Sequence, residues 1–463
     1  MMMLRRLHAA AVLSAALVGC GSSPAVQHAP FPQLEYQMGE LLTAPKVVTI
    51  TFAGDSLASQ VQAFGASVTS SAWWNDVRAG YCGDGPNQCL GDGPQGASVM
   101  LTTSPASTYT DSDTGGPSSL QAWMATEFAN GTFPTPGSVY IYLLYFPVGG
   151  GTTPLTTVTL DGMGSCIEGG FDGYHNYLTV NHQPVAYAVI MECAPLPPLF
   201  PSVPPIDLLQ NTTITTSHEV FEASSDPIPP SGFALDLDYL TNVNNLNNYG
   251  WNDIVGTEAA DLCVDPLGLE QDETTDGPYT VQRIWSNARA AAGIDPCVPA
   301  PAGEAYFNAA PKTAFFVVDV GGSVTFEVDA FSSGPISDWT LIAQDWTEPN
   351  PVYLQLSIAG GENTDAGPQI QVHNGSRIEV TATLLADPGS LPTFEADGSI
   401  ISFSGDPDNP TAAHYWPFAV ISTADAADAG LQQVPGRTRV PARGAPHVHR
   451  YGSQQRRALA RAP

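Results

Sequence analysis

The sequence predicts two folded units of different class, an α/β first domain followed by an all-β antiparallel sandwich. Two observations carry this expectation. Between Lys46 and Cys193, β-branched and aromatic runs alternate with a stretch of helical spacing. From Ala310 to Thr423, short runs alternate apolar and polar residues, and turn residues separate them at roughly ten-residue intervals. A chain of 463 residues is long enough for two or three domains.

The elements follow in order. Arg5 and Arg6 precede "AAAVLSAALVG", an apolar stretch too short to span a bilayer. "LVGC" then has the form of a lipobox, which predicts a signal peptide over residues 1–20 and lipid attachment at Cys20. The alternative is an ordinary signal peptide with a stray cysteine. Residues 21–45 read as a tether. "KVVTITFAG" from Lys46 predicts a buried strand, and "DSLASQVQAFGASVTSS" a helix capped by Asp55 or Ser56. "SVYIYLLYFPVG" and "QPVAYAVIMEC" predict two further strands. The first domain runs over 46–298, a linker over 299–309 and the sandwich over 310–423. The tail, 424–463, is rich in Ala, Arg, Pro and Gly, has no apolar period, and reads as disordered and basic.

Charge and cysteines restrict the setting. The net charge is −30, and seven of the fifteen basic residues lie between Arg437 and Arg461. A body this acidic repels nucleic acid and argues against it as a partner. Apart from Cys20, six cysteines remain. An even number in an exported chain predicts disulfides. Pairing neighbours in sequence gives the simplest of fifteen connectivities: Cys82–Cys89, Cys166–Cys193 and Cys263–Cys297. The expected setting is a bacterial cell envelope, with the membrane engaged through the N-terminal lipid at the outer membrane or cell surface.

"TTSHEVFEASSDP" holds the chemistry. On a helix started by Thr215, Thr216 or Ser217 and ended at Pro227, His218 and Glu222 are one turn apart on one face. Two such ligands can chelate one cation. Glu219 lies about 100° around the axis, where the general base of H-E-x-x-H enzymes sits. A carboxylate in place of the second histidine hardens the donor set. Zinc fits, and manganese or calcium become more plausible.

Four further segments keep company with this helix: "GSCIEGGFDGYHNY" upstream, then Trp251, "GTEAADLC" and "VQRIWSNARAAAGIDPCV". Together they resemble the Exordium, or phosphate-induced protein 1, family of secreted plant proteins and their bacterial relatives. The family pattern falls on Gly173-Tyr174-His175, Ser217 to Pro227, Trp251, Glu258 to Cys263, and Trp285 to Cys297. The resemblance covers about residues 46–298 and implies a zincin-like α+β first domain with a metalloprotease-like helix. It supports a site more than a reaction.

His218 and Glu222 are the first two expected metal ligands. Glu258 and Asp261, three apart and just before Cys263, are the best candidates to complete the shell, and His175 is the next. His175, expected in the Gly-rich loop after Cys166, has a second possible role, binding substrate or steadying an oxyanion. Asp226 reads as a turn residue, and Trp251 and Trp285 as core. His182, His414, His447 and His449 have no companions in sequence. Two function classes follow: a surface metallohydrolase of the peptidase kind, with a peptide, cell-wall or matrix substrate, and a non-catalytic envelope or adhesion protein in which the same cluster is structural.

Overall fold

In the computed structural model, residues 28–428 are described except 113–114, 117, 149–153, 168–169, 199, 239–241, 270, 348–351, 391–394 and 407–408, and residues 448–450 are described beyond them. The expected signal peptide and Cys20 lie outside the described residues.

The first unit is organised on a mixed sheet. Its strands are β1 (Lys46–Thr51), β2 (Ala97–Met100), β3 (Tyr140–Phe146), β4 (Phe171–Val180) and β5 (Gln183–Met191). Neighbours run β4-β5-β3-β1-β2, with a C-terminal strand, Val448–Arg450, added outside β4. β2, β1, β3 and β5 are parallel, while β4 returns antiparallel to β5. The central parallel strands β3 and β5 are nearly continuous apolar runs because both faces are covered. Helices α1 (Ala58–Gly65), α2 (Ala72–Val77), α3 (Leu120–Ala129) and α4 (Leu208–Ser225) accompany them. A hairpin of β6 (Glu273–Asp276) and β7 (Tyr279–Gln282) lays β7 along α4.

The sandwich packs two sheets. One is ordered Phe307–Pro311, Ser323–Ser332, Arg377–Leu384, Leu354–Ile358. The other carries six strands, centred on the long pair Ala396–Asp406 and Asn409–Ser422. Pairing is antiparallel apart from Phe315–Val318, which runs parallel to the end of Asn409–Ser422. The molecule is therefore rich in β-structure, with several sheets and few helices.

Three boundaries differ from the sequence expectation, the first two because apolar side chains found a core. The expected tether is not loose from residue 28 onward: Phe31, Leu34 and Leu42 are buried, and Leu34–Tyr36 pairs with Phe233–Leu235. The sandwich starts at Phe307, inside the expected linker. The tail contributes a short helix, Thr423–Asp428, and the strand Val448–Arg450; the rest of it lies outside the described residues. One hydrophobic core runs through both units, joining Phe221 and Trp285 of the first to Trp339 and Trp416 of the second. Trp251 packs against Trp285 and Trp416, the core role expected of it and of Trp285.

All three expected disulfides form, Cys82–Cys89, Cys166–Cys193 and Cys263–Cys297. They fit an extracytoplasmic protein. Among the described residues, no helix is long and apolar enough to cross a membrane.

Candidate metal centre

The site is built around α4. This helix starts two turns earlier than the sequence suggests, with Asp207 as N-cap and Gln210 completing a capping box. Thr215, Thr216 and Ser217, expected as caps, sit inside the helix instead. Their hydroxyls bond back to the carbonyls of Asn211, Thr212 and Ile214. That self-satisfaction lets a hydroxyl-rich helix be buried from Thr212 to Ser225 without stranding donors. Asp226 ends it in the expected turn role, its Oδ1 accepting from the backbone N–H groups of Ser231 and Gly232.

On α4, His218 Nε2 and Glu222 Oε2 approach to 3.0 Å, as the one-turn spacing requires. The other ring nitrogen, His218 Nδ1, lies 2.8 Å from Gln282 Oε1 on β7. An amide oxygen only accepts, so Nδ1 carries the proton of the neutral ring and Nε2 presents its lone pair to the carboxylates. Gln282 is itself fixed: its Nε2 donates to Ala260 O at 2.7 Å, and its backbone N–H donates to Ser217 Oγ. Gln282 lies in the quoted "VQRIW" segment but was not singled out there. No local signal marked it, since its strand, Tyr279–Gln282, mixes polar and apolar residues.

The segment before Cys263 closes in from the other side. Asp261 starts a short 3-10 turn, and its Oδ1 lies 3.6 Å from His218 Nε2. Gly256, at φ 130°, lets the chain pass so close to Asp261 that a Cβ there would meet Oδ2 at 2.1 Å. The backbone N–H groups of Ala260 and Asp261 both donate to Glu222 Oε1 at 3.2 Å. One Glu222 oxygen is thus anchored while the other faces the histidines.

His175 lies on strand β4, not in a loop as expected. Regular pairing with Ala188 of β5 sets its position, and the period of two puts it on the same face of β4 as Gly173, over α4. Its Nδ1 is 3.4 Å from Glu219 Oε2 and 3.7 Å from Glu222 Oε2, and its Nε2 is 3.8 Å from Glu258 Oε2. Each of His175, His218, Glu219, Glu222, Glu258 and Asp261 therefore lies within 3.8 Å of at least one other of them. Two triads have donor atoms mutually within 4.8 Å: His175, Glu222 and Glu258, and His218, Glu219 and Glu222. Glu222 belongs to both. Glu219, read from the sequence as a general base about 100° around the axis, belongs to one of these triads.

Whether the donors fit a cation is decided by their hydrogen bonds. Both nitrogens of His175, both oxygens of Glu219, both of Glu258, and Asp226 Oδ2 are buried without a hydrogen-bond partner. Buried polar atoms left this way are costly unless something else neutralises them. Tetrahedral zinc with ligands at about 2.0–2.1 Å needs donor separations near 3.3 Å, close to the spacings here. The residues fit a divalent cation.

The electrostatics agree. Burial disfavours the charged ring of His218, yet Glu222, Glu219 and Asp261 outweigh it and push the pKa up to about 10. His175 is also raised, its burial outweighed by Glu219 and Glu222. Burial, then the charges of Glu222, Asp226 and Asp261, pushes the Glu258 carboxyl well above its ordinary range. Burial raises Glu219 as well, against the opposing pull of His175. The cluster calls for positive charge, and without a cation it takes protons instead. By contrast, His414 is a plain core histidine, held down to about 4 by burial and packed on Tyr306 and Phe307.

No protein-family model and no curated protein matches the sequence. Among solved structures, a conjugative transposon lipoprotein from Bacteroides eggerthii is 12% identical over 25% of this chain and 95% of its own, with a TM-score of 0.18. Surface layer protein SbsC, domains 1–6, is 14% identical over 32% of this chain and 16% of its own, with a TM-score of 0.17. Domain 1 of VCBP3 from Branchiostoma floridae is 6% identical over 26% of this chain and 98% of its own, also at 0.17.

Proposed function

We propose that this chain is an exported, lipid-anchored hydrolase of the Exordium-like kind, with a zincin-like first domain that cleaves peptide bonds with the help of one divalent cation. The observation that carries the proposal is the convergence of His175, His218, Glu219, Glu222 and Glu258, all buried, in two triads of donor atoms that share Glu222 on α4. His218, Glu222 and a third donor from His175, Glu258 or Asp261 would hold the cation. Zinc fits best, and the many carboxylates extend the choice to manganese or calcium. When bound, such a cation supplies the charge that polarises a carbonyl and acidifies water. Glu219 Oε2 is the atom that takes up a proton and releases it to the departing amine, and His175 Nδ1 lies 3.4 Å from that oxygen. Gln282 keeps His218 in the tautomer the site needs. The sandwich would bring substrate, cell wall or matrix to the site.

A second reading is favoured by the burial of the cluster. His175, His218, Glu219 and Glu222 are each 0% exposed, as a cation that only stiffens the fold of an envelope protein would be. Metal analysis of the lipid-free protein and peptidase assays on Glu219→Gln separate the two. The hydrolase reading expects about one metal per chain, activity in the wild type, and Glu219→Gln with metal retained and activity lost. A metal-loaded wild type with no peptidase activity supports the structural reading, and a metal-free wild type removes both.

A further inference from the structure

The strand that carries His175 is an edge strand of its own sheet, and part of that edge is covered by this chain's own C-terminal segment. β4 pairs with β5 on one side. On its outer side Val448 faces Tyr174, His449 faces Gly173 and Arg450 faces Phe171, antiparallel, with a register shift between His449 and Arg450. The C-terminal strand also touches α4, so it lies over the helix that supplies His218, Glu219 and Glu222. It is three residues long against ten in β4, and leaves the outer edge of His175–Val180 without a strand partner among the described residues.

We propose that the outer edge of β4 is the docking site for an extended peptide, and that Val448–Arg450 occupies it in place of such a peptide and keeps the site closed. An exposed strand edge is a row of N–H and C=O groups that any extended chain can pair with, and adding a strand to it is a general route to peptide binding. The position selects this edge from the others in the molecule. Gly173, opposite His449, has no side chain because a Cβ there would meet Thr215 Cγ2 at 2.4 Å and Glu219 Oε1 at 2.9 Å. The backbone that pairs with the incoming strand is thus the backbone pressed against Glu219, and His175 follows two residues later. A peptide paired along β4 would run past the metal donors. The identity of the docked peptide as substrate rests on the proposed hydrolase function. The docking itself does not.

The test uses the full chain with Val448→Pro and His449→Pro together, which removes two backbone donors and prevents continuous pairing. Gln455→Pro, beyond the strand, is the control, and a chain ending at Asp428 is a second variant that needs no proline. Hydrogen exchange over Phe171–His175 and anisotropy with a labelled peptide copying residues 445–452 are the readouts. The expected result is exchange of β4 amides faster by at least about tenfold in both tail variants and unchanged in the control. The free peptide should bind both variants at least about tenfold more tightly than it binds the wild type, and restore protection. Unchanged exchange in both tail variants, or a peptide that binds none of the proteins, overturns the proposal. If exchange and binding follow expectation but no form cleaves peptides, edge docking stands and the hydrolase reading falls.

Discussion

Replacing Gln282 with methionine keeps most of the side-chain volume and removes only its polar atoms. Two buried hydrogen bonds disappear: the one from His218 Nδ1 at 2.8 Å and the one to Ala260 O at 2.7 Å. A buried imidazole N–H left unpaired costs about 1–3 kcal/mol. Loss of an outer-shell partner of a metal-binding histidine typically lowers affinity about 10–100-fold, and at about 1.4 kcal/mol per tenfold that is the same range. Ala260 sits in the segment whose N–H groups anchor Glu222 Oε1, so one substitution loosens two donors and the upper half of the range is expected. Competition for zinc against a fluorescent chelator measures the affinity directly, and urea unfolding of the metal-free protein measures the packing cost separately. An affinity within about threefold of wild type, alongside a lower unfolding midpoint, would show that Gln282 only packs, and would refute its role in orienting His218.

Three other outcomes follow from the same geometry. In metal-free protein, His218 is held up to about 10 from an ordinary 6.5, so its contribution to stability is complete below about 6.5 and lost as pH rises towards 10. The raised Glu258 has the same sign, whereas a cation needs deprotonated donors. The rise in Tm on adding zinc should therefore grow from about pH 6 to about pH 9 in scanning fluorimetry, and a gain that shrinks over this range would contradict the site. Substituting Cys263 and Cys297 together with serine opens a cross-link spanning 34 residues. It should cost about 2–4 kcal/mol in urea unfolding and weaken zinc binding through Asp261. Gly173→Ala should cost about 1–3 kcal/mol by overpacking against Thr215 and Glu219, seen as a lower unfolding midpoint.

Much of the centre was legible because it is local. The spacing of His218 and Glu222 fixes one face of a helix, and the structure keeps them 3.0 Å apart. The helix ends were less legible. Hydroxyl residues read as caps at Thr215 to Ser217 bond within the helix, because Asp207 and Gln210 cap it earlier. His175 read as a loop residue because glycines surround it, yet pairing with β5 makes its segment a strand. Gln282 was hidden, since its partner His218 is 64 residues away in the chain.

The sequence by itself indicated a strand-rich second unit, the three neighbour disulfides as the simplest pairing, and a helix with His218 and Glu222 on one face, because periodicity and short spacings survive without a fold. Only the tertiary structure decided that His175 and Asp261 meet the α4 pair and Glu258 meets His175, that Phe31 and Leu34 belong to the core, and that Val448–Arg450 pairs with the edge of β4. Those depend on strand pairing and shared burial between distant segments, which no local pattern encodes.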